Sequence, residues 1–324
     1  MRQNLFKYAK KILPLLGIIL FIYLIYTLDI KIITTTLASI PPLYVLFAAL
    51  LTIPVALLRN VIWMMIHKQQ HIRLTFRQSL KIFLIGYFYG TVTPGYIGQL
   101  MRIPYMKEKT REPYGKLFVN TFLETTLHTL SLYLMMFIGG ILLIERFPEL
   151  FLIVTIWTIV IGVLLAYFLS RKRGDFFFFL MIRFFIPKRG KTPVSRFVET
   201  FYQDFPRIRS LIIPCLLGGI TWVITFAQEY LIVLALGLPI PFLAFLVLFP
   251  IANTAGFIPI TFAGLGTREF TAIIIFSSLF AVSAESMFVV SLVGFLVTDV
   301  LTGFYGFILS LTETKKKNIT FQEI

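Results

Sequence analysis

Hydrophobic and polar positions fall in long blocks along this chain, not in the short periods of a soluble fold. Apolar runs of helix-spanning length, ~20 residues with a tolerance of a few, lie at about 12–28, 42–66, 115–144, 148–169, 209–236 and 285–311. Two further apolar segments, 79–107 and 241–281, are each interrupted by a glycine-containing break. The first break reads Thr93-Pro94-Gly95-Tyr96-Ile97-Gly98; 168 residues later the second reads Thr261-Phe262-Ala263-Gly264-Leu265-Gly266. Each predicts a helix, a turn and a second helix. Pro94 lacks an N–H and restrains Thr93, while the glycines admit backbone conformations and close approaches that other residues do not.

The basic residues order these blocks across a membrane. Arg2, Lys7, Lys10 and Lys11 precede the first run, no small-x-small cleavage site follows it, and Asp29-Ile30-Lys31 closes it. That predicts an uncleaved first span rather than a signal peptide. The first interrupted segment lies between Lys68, Arg73, Arg77 and Lys81 on one side and Lys107, Lys109, Arg111 and Lys116 on the other. Cytoplasmic loops collect Lys and Arg, so 79–107 is expected to enter and leave on the inner side as a re-entrant hairpin. Carried forward, 241–281 enters from the outer side, and loop 171–209 and both termini are cytoplasmic. Of the 30 Lys and Arg residues, only Lys31 and Arg146 then lie outside, with Arg59 and Arg268 inside membrane segments. Three full spans separate the hairpins, so they enter from opposite faces, as in an inverted repeat whose tips meet near the midplane.

The expected fold class is therefore an all-α polytopic membrane protein of six spanning helices plus two re-entrant helical hairpins. It forms a single domain over 1–324, its first half about 1–144 and its second about 148–311. In the loop 171–209, Phe176–Ile186 is apolar but too short to span, and Val194, Phe197, Val198, Phe201 and Phe205 recur at helical spacing. These read as two helices on the inner leaflet, with a helix packed under the bundle as the alternative.

Composition agrees. Hydrophobic residues make up 58% and charged residues 14%, with mean hydropathy +0.87, against about 45–50% and about 25% in soluble domains. The net charge of +15 raises nucleic acid as a partner, but the charges flank apolar runs and form no single face, so none is expected. One cysteine, Cys215, excludes an intramolecular disulfide and a thiol cluster. No metal or cofactor is expected. An enzyme is not expected either: the chain has no His-Glu-x-x-His pair and no Gly-Lys-Ser/Thr phosphate loop.

The chemistry concentrates at the breaks and at intramembrane charges. At Pro94, Gly95, Gly98, Gly264 and Gly266, a returning half-helix would aim its N-terminal amides at the midplane, where free donors and the helix dipole attract phosphate or carboxylate. The alternative is that these glycines only permit tight helix packing. Charged residues inside spans cost about 2.5–3.5 kcal/mol at a helix centre and mark pathways or ion pairs. Arg102 lies about one turn past the first tip; Arg268 and Glu269 lie just past the second. Arg268 is expected to hold a phosphate through its planar fork, with Glu269 orienting it or pairing with a cationic head group. Arg59, Glu124, His128, Glu229 and Asp299 are candidates for ion coupling or for structural ion pairs. Arg59 could instead snorkel to its span's end, and His128 could be a packed core histidine.

Phe88-Tyr89-Gly90-Thr91-Val92-Thr93-Pro94-Gly95-Tyr96-Ile97-Gly98-Gln99-Leu100-Met101-Arg102, followed by a span carrying Glu124, is similar to the first hallmark of the flippase-like family. That family is named for the transmembrane domain of lysylphosphatidylglycerol synthases, and its pattern there is roughly P-G-x-[IL]-G-[EQ]-x-x-R. Ile260–Glu269 resembles the second hallmark through Gly264, Leu265, Gly266, Arg268 and Glu269. Phe262-Ala263 stands where a Pro-Gly is usual, Glu124-Thr125 replaces a Glu-Arg pair, and His128 replaces an Asp. The arginine frequent in the last span is absent, with Asp299 a few residues on. The resemblance implies a stand-alone translocase in the cell membrane, without the synthase domain, that moves an amphipathic lipid between leaflets. Phospholipids or polyprenyl-linked lipids are then its partners, and a second copy of the chain is admissible. A proton-coupled transporter of a small solute and a non-transporting membrane partner are the competing readings.

Overall fold

The computed structural model describes residues 18–142, 144–145, 148–168, 197, 199–202, 204–257 and 261–314. Among them every regular element is helical. Helices α1 (Ile18–Thr27) and α2 (Ile30–Ser39) meet at 93°. Asp29 makes the corner: its Oδ1 accepts the N–H groups of Lys31 at 2.8 Å and Ile32 at 3.4 Å, satisfying amides that open the new helix. The polar triplet that reads as the end of a span is thus also the start of a helix. The sequence pattern left this helix out because Thr34, Thr35, Thr36 and Ser39 dilute its apolar face.

There follow α3 (Pro42–Gln69), α4 (Phe76–Thr91), a 3₁₀ turn (Ile97–Met101), α5 (Arg102–Thr110), α6 (Tyr114–Leu142) and α7 (Pro148–Phe168). The chain continues through α8 (Ile208–Ala235), α9 (Phe242–Ala255), α10 (Thr267–Phe280) and α11 (Ala284–Phe295). A π-helical turn (Leu296–Val300) leads into α12 (Leu301–Thr314).

Among the described residues, four helical stretches are long and apolar enough to cross a membrane: Pro42–Gln69, Tyr114–Ile141, Ile208–Ala235 and Ala284–Thr312; counting the bent pair α1–α2 as one span makes five. Their surfaces are inside out by the standard of a soluble protein. On α3, Leu43, Leu46, Phe47, Leu50, Ile53 and Leu57 are exposed, whereas Thr52, Asn60 and His67 are buried. An apolar stripe at helical spacing that faces outward suits lipid, which unlike water imposes no penalty on it.

The described chain packs as two compact units, and neither is continuous in sequence. One combines residues up to Leu57, Leu80–Met101 and those from Val223 onward; the other combines Leu58–Ser79 and Arg102–Trp222. The division cuts through α3, α4 and α8. In the first unit α10 packs on both α9 and α11, and α2 packs on α11; in the second, α6 packs on α5 and α7. The core of the second unit gathers Ile66, Val119, Leu123, Leu127 and Leu211 around Phe201 and Tyr202, with Phe197 and Phe205 against it. The aromatic stripe read as leaflet-facing therefore turns inward. Phe118 meets the ring of Phe197 at 5.5 Å, and Lys116 holds Asp204 at 2.8 Å, so protein rather than lipid covers these rings. Phe176–Ile186, Val194 and Val198 lie outside the described residues.

Candidate functional site

Both breaks fold into the same turn. Gly95 and Tyr96 have φ of 59° and 56°, and Ala263 and Gly264 have φ of 47° and 81°. The Ile97 N–H returns to the Pro94 carbonyl at 3.4 Å, and the Leu265 N–H to the Phe262 carbonyl at 2.9 Å. Two central residues at positive φ closed by such a bond form the pattern of a type I′ turn. The offset of 168 thus maps turn onto turn, residue for residue. The loops also touch: Pro94 and Phe262, which occupy the same place in each turn, form an isolated antiparallel bridge.

Glycine is demanded by different causes in the two turns. Gly98 has no side chain because a Cβ there would run into the carbonyl of Tyr89. A Cβ on Gly264 would lie 2.7 Å from the Cα of Gly256, and Gly266, at φ 89°, begins α10 in a conformation that side chains resist. One amide at each tip, where donors were expected to seek an anion, is engaged within the chain. The Gly98 N–H donates to Thr93 Oγ1 at 2.7 Å, and the Gly266 N–H donates to Glu269 Oε2 at 2.6 Å. At the second tip, Glu269 is itself the anion that the helix terminus attracts.

The intramembrane charges sort into two groups. In one, Arg59 Nη2 reaches Glu124 Oε1 at 2.9 Å and Arg102 Nη1 reaches Glu124 Oε2 at 2.6 Å. The Arg102 guanidinium lies 5.1 Å over the ring of Trp63, whose indole N–H donates to Asn120 at 2.8 Å. Asn120 in turn donates to Gln70 at 2.7 Å. Arg59 is therefore an ion-pair partner in a helix that continues to Gln69, not a snorkelling end residue. His128, four residues from Glu124, stacks on Trp222 at 4.3 Å, which fits the packed-histidine alternative.

In the other group, Arg268 and Glu269 are at most 1% exposed and pair at 2.8 Å. Arg268 Nε also donates to Ser291 Oγ at 3.2 Å, its guanidinium lies 4.6 Å over Phe295, and Nη1 stands 3.7 Å from Asp299 Oδ2. Asp299 sits in the π turn, a local widening that recurs at functional sites. Its carboxylate accepts the hydroxyls of Tyr87 at 2.7 Å, Tyr96 at 3.0 Å and Thr298 at 3.1 Å. The Tyr96 hydroxyl also lies 3.5 Å from the Ala263 carbonyl, so the first loop reaches the second through a side chain as well. Glu229, 3% exposed, packs against Gly294.

Sequence reasoning missed Trp63, Tyr87, Tyr96, Ser291 and the π turn. Only Tyr96 carried a signal, as a bulky residue beside Pro94-Gly95 in a turn that needs positive φ.

Spanning helices with an apolar exterior and an ion-paired polar interior define a multi-pass helical membrane protein. The chain belongs to the family of the lysylphosphatidylglycerol synthase TM region, which it matches over residues 12–306; the resemblance carried by the two loop motifs is borne out. It is also similar to a UPF0104 membrane protein from Methanocaldococcus jannaschii, 23% identical over 285 residues that cover 83% of this chain and 84% of that protein.

Proposed function

We propose that the protein is a lipid translocase that moves a phosphate-bearing polar or glycosylated lipid between leaflets, on a scaffold of six spans and two re-entrant hairpins. One observation carries the reading: two interrupted hairpins, in corresponding places of the chain, turn identically and join at their matching residues. Their arms hold 16, 9, 14 and 14 residues, and at 1.5 Å per residue none reaches the ~30 Å of a hydrocarbon core. An antiparallel bridge between Pro94 and its counterpart Phe262 supports this pairing of the two loops. Paired broken helices of this kind point to a transporter's substrate passage. In this topology α7 and the bent α1–α2 pair complete the six spans, and both termini lie inside.

Pro94, Gly95, Gly98, Gly264 and Gly266 act through backbone, shaping the two turns. Arg268 faces Glu269, Asp299 and Ser291, and its role is to fix the second hairpin. The head-group phosphate falls to Arg102 and Arg59, whose planar forks converge on the single carboxylate of Glu124; such forks match phosphate oxygens bidentately. The substrate is a phospholipid or a polyprenyl-linked lipid, and the step is translocation rather than catalysis.

The test is a head-group-resolved transbilayer assay in proteoliposomes. Wild-type protein should move a phosphate-bearing lipid, and Arg102→Ala should slow it far more than a phosphate-free glycolipid. Equal rates for both lipids in wild type and variant would overturn the phosphate assignment. Uptake of a water-soluble solute without lipid movement would favour the small-solute reading.

A further inference from the structure

Four carboxyl groups are buried among the described intramembrane residues, and three are engaged. Glu124 pairs with two arginines. Glu269 holds Arg268 and the Gly266 N–H and accepts the Ser291 hydroxyl. Asp299 accepts Tyr87, Tyr96 and Thr298. Glu229 differs. It lies inside α8, 3% exposed, and its Oε2 is buried without a hydrogen-bond partner. Its neighbour Gln228 is not available to it, because that amide donates to Thr52 Oγ1 at 2.7 Å and the Val297 carbonyl at 3.4 Å.

The space beside Glu229 is kept by Gly294 on α11. A Cβ there would lie 3.1 Å from the Glu229 Cγ and Cδ and 3.2 Å from Oε2. The charged groups that act on Glu229 are Arg268, Asp299 and Glu269. One arginine therefore stands among three carboxyls, and hydrogen bonds and ion pairs already engage two of them. A third carboxylate, ionised and unpartnered in a water-poor interior, would carry a prohibitive desolvation cost. A proton on Oε2 removes it.

We propose that Glu229 is the proton-binding site of the protein, and that loading and unloading it couples translocation to a proton gradient. The step is an acid–base exchange: an O–H bond forms at Glu229 when a proton enters from water on one side. It breaks when the proton leaves to water on the other. The coupling rests on the translocase reading above; the proton site itself does not.

Two measurements separate them. Infrared difference spectra of the purified full chain across a pH series should show the carbonyl band of a protonated carboxylic acid. That band should vanish in Glu229→Gln, a near-isosteric variant, and its pH midpoint should move in Gly294→Ala, where the added methyl crowds the carboxyl. A wild-type spectrum that Glu229→Gln leaves unchanged would overturn the proton site, whatever the lipid assay shows. In proteoliposomes, an imposed proton gradient should accelerate lipid movement by wild type, and Glu229→Gln should keep passive equilibration while losing the acceleration. Acceleration that survives in Glu229→Gln, or that a sodium gradient alone provides, would overturn the coupling. A Glu229-dependent band in a protein that moves no lipid would leave the proton site standing and bring down the translocase reading together with the coupling.

Discussion

Side chains at the two turns are set by backbone clearance and by handedness, and these give opposite predictions for neighbouring positions. Gly98 faces the Tyr89 carbonyl, so Gly98→Leu must push the 3₁₀ turn away from α4. Gly266→Leu must hold a branched residue at φ 89°. Both variants should abolish transport while the protein still reaches the membrane fraction; normal rates in both would reduce the loops to packing joints. Ala263 is the converse case. It occupies φ 47°, where an L-residue bears a strain of about 1–2 kcal/mol that glycine avoids. Ala263→Gly should raise stability by up to about 1 kcal/mol, part of the relief being lost to the freer unfolded chain. Thermal unfolding in detergent reads this, and a lower midpoint would show that the buried methyl contributes more packing than its conformation costs.

The ionic groups act between elements. Glu124 on α6 joins Arg59 on α3 to Arg102 on α5, so its loss strands two guanidinium groups, and removing one partner of a buried pair costs about 3–5 kcal/mol. Arg59→Met leaves the Arg102–Glu124 pair intact and should destabilise much less than Glu124→Gln, by unfolding in detergent. Arg268→Ala removes the cation that Glu269 and Asp299 share. Arg268→Ala/Glu269→Ala should therefore recover part of the stability and transport that the single variant loses. A double variant as inactive as the single one would return Arg268 to the role of phosphate ligand. The candidates at this scale were legible in the sequence because an ionised residue in an apolar run stands out. Their partners were not. The Arg59–Glu124 pair spans 65 positions and the Tyr87–Asp299 bond 212, and periodicity carries no information at such separations. The π turn was hidden for a related reason: it inserts one residue's worth of slack without altering composition.

For the whole molecule, long apolar runs legibly gave α3, α6, α8 and the α11–α12 stretch, since lipid demands uniform hydrophobicity over a fixed length. α2 escaped because a short helix started by a cap and diluted by threonines has no such signature. The aromatic face of Phe197, Phe201 and Phe205 was legible, but what covers it was not, because lipid and protein interiors select the same side chains. The repeated break was the strongest signal, and the 168-residue offset survives in the turn geometry. The inverted topology built on it is open to direct measurement. In a background lacking Cys215, a cysteine at Lys109 should react with an impermeant reagent only from the cytoplasmic side, and one at Ser283 only from outside. Outside labelling at Lys109 would remove the re-entrant hairpin and the inverted repeat together.

A lone bridge has a mechanical character that a ladder lacks. Several paired rungs would lock two strands in register and orientation, whereas one contact point between Pro94 and Phe262 resists separation and leaves rotation cheap. The hairpins thus share a swivel, and the Tyr96 hydroxyl, hung between the Ala263 carbonyl and Asp299, tethers that swivel to the last helix. On the translocase reading proposed above, this single joint is where a movement of one loop would pass to the other.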